Sequence, residues 1–223
     1  LIVVRDQTAW TALRRIRSRA MTDPINTGGL AGSNVRQEWF RPDPARWDSW
    51  TFQFLWPTPR RHDGGGGTYD LFSHSARYLA ITGSLHGWLT TVEQPSEWTG
   101  SQRLADAVAI AAVTAAGASR RRGILLVLGE DPQDSSDAAP EVVRAYLESL
   151  AVPLFVWTVS PKTTRNTRWG KAVDVSSPQL MSHATRQIFD RLESQRIVWL
   201  EGIHLPQQIE LTPVLRQQVK VAG

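Results

Sequence analysis

Three short, mainly apolar stretches constrain this chain more than anything else in it. They lie at residues 1–5, 123–128 and 153–159, and branched or aromatic residues dominate them. Runs of this length read as strands buried on both faces, which is how strands look in a parallel sheet covered by helices. Segments with helical spacing lie between them. Ala9, Leu13 and Ile16 place a helix over roughly 8–20, with Asp6 or Thr8 able to cap it and arginines on the opposite side. Leu104, Ala107, Val108, Ala111 and Ala112 mark a second over roughly 101–117. A third runs over 141–150 with Pro140 at its first turn, and a fourth over 178–193 behind Ser177.

The remaining segments read less regularly. Residues 51–56 form a strand candidate ended by Pro57, and 76–92 hold at least one more strand. Residues 197–200 are a last strand candidate. Pro and Gly punctuate 21–50, and 58–75 contains Gly64-Gly65-Gly66-Gly67, so both read as long loops. The glycine run lacks the lysine and the following helix start of a phosphate-cradling loop. Residues 201–223 read as a tail. The alternation gives one α/β domain over 1–223, with a doubly wound, mainly parallel sheet and helices on both faces. Binding sites in such sheets lie at the carboxyl ends of the strands, here after residues 1–5 and 123–128.

Composition narrows the function classes. No run of about 18 apolar residues is present, so nothing reads as a membrane-spanning helix. Cysteine is absent, which removes disulfides, thiolate metal sites and cysteine nucleophiles. The net charge of +4 is carried partly by clusters at Arg14, Arg15, Arg17 and Arg19, at Arg60 and Arg61, and at Arg120 to Arg122. No nucleic-acid-binding motif accompanies them, so they read as solvated helix ends and loop edges. Ten tryptophans are expected to divide between core plugs and exposed contact residues. The chain opens on strand-like sequence without an initiator methionine, so it is expected to be a piece of a longer protein, with any export signal upstream.

The block Leu104-Ala105-Asp106-Ala107-Val108, the strand Ile124–Leu128, the acidic loop from Gly129 through Ser136, and Val152-Pro153-Leu154-Phe155-Val156 resemble the von Willebrand factor A domain. The VWFA-related proteins of Acidobacteria look the most similar. The block covers about a quarter of the chain; elsewhere the similarity lies in element order. The resemblance implies a bacterial adhesion or scaffold domain, exported or in the cell envelope. It also implies a divalent cation held by three loops: an Asp-x-Ser-x-Ser motif, a threonine before a helix, and an aspartate after the central strand. Asp6 matches the first aspartate and Thr8 replaces the first serine, while Trp10 stands at the second serine. Gln102 falls at the threonine, with Ser101 and Thr99 beside it. Leu128 or Gly129 falls at the third aspartate, and Asp131 comes two or three residues late. The implied metal site is therefore degenerate.

The expected function is non-catalytic protein–protein interaction, with Asp6, Thr8, Trp10 and Gln102 on the partner-binding face and no obligatory cofactor. One alternative keeps magnesium or calcium on Asp6, Thr8, Ser101 and Asp131, since hard cations take oxygen ligands. Another is a hydrolase or nucleic-acid-binding module. The histidines (His62, His74, His86, His183 and His204) show no HExxH or H-x-H spacing, and Ser84-Leu85-His86-Gly87 is not a nucleophile elbow. No catalytic set is complete. Asp131, Asp134 and Asp137 read as a solvated turn leading into a helix.

Overall fold

A computed structural model of the chain describes residues 1–22, 50–58, 60–61, 69–70, 74–79, 84–93, 101–117, 121–161, 167–195 and 212–216. The strands are β1 (Ile2–Arg5), β2 (Thr51–Leu55), β3 (Arg60–Arg61), β4 (Tyr69–Asp70), β5 (His74–Leu79), β6 (Ile124–Leu128), β7 (Leu154–Thr158) and β8 (Val173–Asp174). The helices are α1 (Ala9–Thr22), α2 (Leu85–Thr91), α3 (Leu104–Ala116), α4 (Pro140–Ser149), α5 (Pro178–Glu193) and α6 (Pro213–Arg216).

Six strands form one sheet in the order β5-β2-β1-β6-β7-β8. Every pairing in it is parallel except β2 with β5. Counted along the chain, the strands of this sheet run third-second-first-fourth-fifth-sixth, the doubly wound order. The short strands β3 and β4 pair apart from it.

Alternation along the strands builds two cores. Val3, Phe52, Phe54, Leu125, Val127 and Trp157 point to one face, where they meet Leu13 and Ile16 of α1, Leu85 and Leu89 of α2, and Ile188 of α5. Ile2, Val4, Leu55, Ile124, Leu126 and Leu128 point to the other, against α3 and α4. All five residues of β6 are buried, as expected of the central strand. Truncating one of its leucines to alanine costs about 2–5 kcal/mol. Alanines at 105, 107, 111, 112 and 115 let α3 sit close to the sheet.

Several sequence expectations hold to within a few residues, including α1, α3, α4, α5 and the three central strands. Ser177 caps α5 by accepting from Leu180 N at 3.2 Å. The segment 76–92 holds the expected strand and, beyond it, a helix that the pattern does not announce. Its first part completes β5, but Leu85 and Leu89 are one helical turn apart and both buried in α2. Ser84 starts that helix by accepting from Gly87 N at 3.1 Å. Strand β8 was not expected; its two residues pair with Trp157 and Thr158 at the end of β7. The loop at 23–49, the glycine run and the strand candidate at 197–200 lie outside the described residues.

Tryptophans sort toward the interior. Trp50, Trp56, Trp157 and Trp169 are buried, while Trp10 and Trp88 are half-buried. Among the described residues none is exposed, so the expected set of exposed tryptophans does not appear there.

Candidate functional site

Strands β1 and β6 are neighbours, but their chains leave the sheet on opposite faces, β1 into α1 and β6 toward α4. That divergence is the switch point where doubly wound sheets bind ligands. Asp6 follows β1 there, and its backbone N donates to Val127 O at 2.9 Å, extending the ladder with β6.

The Asp6 side chain is fully buried, and donors from this chain surround both of its oxygens. Oδ1 accepts from Gln102 Nε2 at 2.7 Å and from Thr8 N at 3.1 Å. Oδ2 accepts from Thr8 Oγ1 at 2.6 Å and from Gly129 N at 2.7 Å. The Gln102 amide is itself oriented, because its Oε1 accepts from Gln7 N at 3.1 Å. Turning it over would bring Oε1 against the carboxylate and the amino group against a backbone N–H.

Gly129 is required sterically. A Cβ at this position would lie 1.8 Å from Thr8 Oγ1, 2.7 Å from Thr8 C and 2.8 Å from Ala9 N. The last two atoms are backbone and cannot turn aside. Only glycine brings the end of β6 close enough to donate to Asp6.

The neighbouring loops are tied to the same point. Gln7 Nε2 donates to the buried Thr58 Oγ1 at 2.5 Å, and Arg103 N donates to Pro57 O at 2.6 Å, fixing the chain after β2. The acidic loop after β6 folds over the start of α3. Asp134 accepts from Leu104 N at 2.9 Å and Ala105 N at 3.3 Å. It thereby caps from a distance a helix whose own N-cap residue, Arg103, makes no side-chain cap. Ser135 N and Oγ both donate to Gln102 O. Arg103 pairs with Asp106 at 2.6 Å and with the exposed Asp137. Asp131, Asp134 and Asp137 are all exposed, as expected of a solvated turn, and Asp134 and Asp137 also clamp the start of α3.

Beside this cluster, β1 ends in a buried arginine. Arg5 Nη1 donates to Leu89 O at 2.8 Å. Its guanidinium lies 4.3 Å from the ring centre of Trp10, 5.1 Å from that of Trp56 and 5.9 Å from that of Phe54. Burial pulls the guanidinium down to about 9, with attraction to Glu93 opposing.

Of the residues expected at the partner face, Asp6 and Gln102 are sealed, Thr8 is exposed and Trp10 is half-buried. Of those expected around a cation, Asp6 and Thr8 come together, but Ser101 and Asp131 are both exposed and neither shares a hydrogen bond with Asp6. Among the described residues no group of three or more histidines, aspartates or glutamates could hold a metal. The donor set fits a cation poorly. An ion on Oδ1 needs to approach within about 2.0–2.6 Å, and each Asp6 oxygen already accepts two protein hydrogens.

Among the described histidine side chains, His86 is buried against Thr185, 2.7 Å from its Oγ1, and His183 is exposed beside Gln187. The Thr185 hydroxyl donates to Met181 O at 2.9 Å.

Asp134 and Arg5 leave signals in the sequence, whereas nothing in it marks 129 as a position that only glycine can fill. Asp134 sits in a loop that follows α3 in sequence and returns to its start. Arg5 is the one charged residue in the first strand.

No family model, curated protein or solved structure matches this chain.

Proposed function

We propose that this chain is a non-catalytic protein-interaction domain of the von Willebrand factor A-like type, working without a metal ion. The supporting observation is Asp6. Its carboxylate sits at the switch point with all four hydrogen bonds supplied by Thr8, Gln102 and Gly129. The resemblance assigns the Gln102 position to a metal-ligating threonine, and here an amide donor stands in it. A hydrogen bond to a charged group contributes about 1.5–3 kcal/mol. A cation must break at least one such bond and shed its own water to enter. The closed arrangement wins unless Gln102 leaves.

The face around this cluster suits a partner because the chain after β1, β2 and β6 meets the start of α3 there, and the four segments are mutually fixed. Preorganisation lowers the cost of binding. Thr8, Ser101 and Asp131 present exposed side chains there, with Trp10 half-exposed beside them. The divalent-cation reading retains one favourable observation, the convergence of Asp6 and Thr8 oxygens at 2.6 Å. Among the described residues no comparable constellation supports a hydrolase or a nucleic-acid-binding module: the exposed Arg14, Arg15 and Arg19 lie along α1, with no second basic element shown beside them.

Photo-crosslinking tests the proposal. A crosslinking residue placed at Ser101 or Asp131 should trap a discrete protein from an extract of the producing cells, in the presence of chelator. The same residue at the exposed Ser149, at the far end of α4, should not. Adducts that vanish with chelator, or that form equally from Ser149, would overturn it.

A further inference from the structure

Arg5 sits at the carboxyl end of β1, one residue before Asp6, with only 3% of its surface exposed. Its side-chain hydrogen bond has a clear structural purpose. Leu89 lies in the last turn of α2, where carbonyls have no intrahelical partner, and Arg5 Nη1 caps one of them. A guanidinium carries five donors, so this cap leaves most of its capacity unused.

The surroundings hold a cation without neutralising it. Trp10, Trp56 and Phe54 present rings within 4.3–5.9 Å, a range in which aromatic faces attract a guanidinium. Among the described residues no carboxylate pairs with Arg5. Glu93, exposed just beyond α2, acts on it only at longer range. Arg14, exposed one turn along α1, lies 5.9 Å from the same Trp10 ring and adds positive charge at the rim. Buried charges are normally paired; this one is caged and oriented, and no anion among the described residues neutralises it.

We propose that Arg5 receives a carboxylate side chain of the protein partner, so that an acidic residue of that partner is read by a guanidinium rather than by a metal ion. The inference rests on the interaction reading above. A carboxylate suits the site because it is planar, singly charged and able to pair side-on with a guanidinium. A phosphate dianion would bring a second charge to a place with one buried cation and with Glu93 nearby.

Acetate, with chloride as the control at constant ionic strength, is the probe, and inorganic phosphate is the competing arm. The readout is the Arg Nε–Hε and Trp indole resonances of the whole chain. Acetate should saturate the Arg5 signal in the millimolar range, and phosphate should not. Arg5→Met, an apolar replacement of similar length, should abolish the acetate response of the Trp10 indole while still melting cooperatively. Arg5→Lys should keep the charge and weaken binding by about tenfold.

No saturation in the folded wild-type chain would overturn the proposal, whether or not Arg5→Met folds. Tighter saturation by phosphate would overturn the carboxylate assignment, and a response that survives Arg5→Met would overturn the residue assignment. Acetate binding without any crosslinked partner would retain the anion site and remove the interaction reading. Crosslinking that is unchanged in Arg5→Met, with no acetate binding, would do the reverse.

Discussion

The side-chain amide of Gln102 donates to Asp6 Oδ1 at 2.7 Å, joining residues 96 positions apart where β1 and β6 part. Together with the bond from Gly129 N to Oδ2, the contact fixes the entry to α1, the start of α3 and the end of β6. It also decides the chemistry of the face, because the buried negative charge is met by hydrogens of the chain itself.

Asp6→Asn tests that statement without changing shape. All four groups around the carboxylate are donors, so an amide forces its own hydrogens against one of them. A loss of about 3 kcal/mol is expected in urea unfolding, from charged hydrogen bonds weakened and a buried donor left unmet. Gln102→Glu alone sets carboxylate against carboxylate and should also destabilise. The double variant Asp6→Asn/Gln102→Glu restores a donor–acceptor match with the charge moved across. Its loss should fall short of the sum by about 1–2 kcal/mol. Strict additivity would mean that the two side chains are not coupled.

Divalent cations offer a second test. The melting temperature of the wild-type chain should not move in millimolar magnesium or calcium. Gln102→Thr removes the blocking amide and supplies a hydroxyl, so this variant should acquire a metal-dependent melt. A specific ion at 100 times its dissociation constant contributes about 2.7 kcal/mol, which is several degrees for a chain of this size. A wild-type shift abolished by Asp6→Ala would restore the divalent-cation reading.

Much of this arrangement was legible in the sequence, for reasons that also explain what was not. β6 and α3 announce themselves because burial on both faces demands unbroken apolar sequence and helix packing demands a fixed period. The switch point follows from strand order and puts Asp6 and Thr8 on it, while Gln102 joins them only through the resemblance to the von Willebrand factor A domain. Exposure is what sequence hides. Asp6 and Gln102 are sealed, and nothing local distinguishes a glutamine facing solvent from one bonded to an aspartate 96 residues away. The α2 segment was missed because seven residues hold only two turns of helical pattern, too few to outweigh the apolar residues before them. Gly129 is invisible for another reason: its necessity comes from the backbone of Thr8 and Ala9, which only the fold brings near.

The acidic loop separates two aspartates that look alike in sequence. Asp134 caps α3 through two backbone N–H groups, whereas the Asp137 side chain is 91% exposed and meets only Arg103. Asp134→Ala should cost about 1–2 kcal/mol, as loss of a helix cap does. Asp137→Ala should cost less than about 0.5 kcal/mol, since exposed ion pairs contribute little. Urea melts of the two variants decide it, and equal losses would mean that the loop is held by charge and not by the cap.

Arg5 gives the stability of this chain an alkaline signature. Burial pulls its guanidinium down to about 9, with Glu93 opposing. The folded chain therefore holds this proton less tightly than the unfolded chain does. Below pH 9 both states are charged, and the folded state carries the full penalty of burying the charge. Above it the folded state sheds the proton while the unfolded chain keeps it, so stability arising at this site increases with pH. Comparison with Arg5→Met cancels the lysines and tyrosines, which titrate in both proteins. The difference in unfolding free energy, wild type minus variant, should rise by about 1 kcal/mol from pH 9 to about pH 10. Saturating acetate should move that rise to higher pH, because a bound carboxylate favours the charged guanidinium. A difference that stays flat without acetate would mean that Arg5 already has its counter-ion within the fold, and the acetate titration would then find no site to fill.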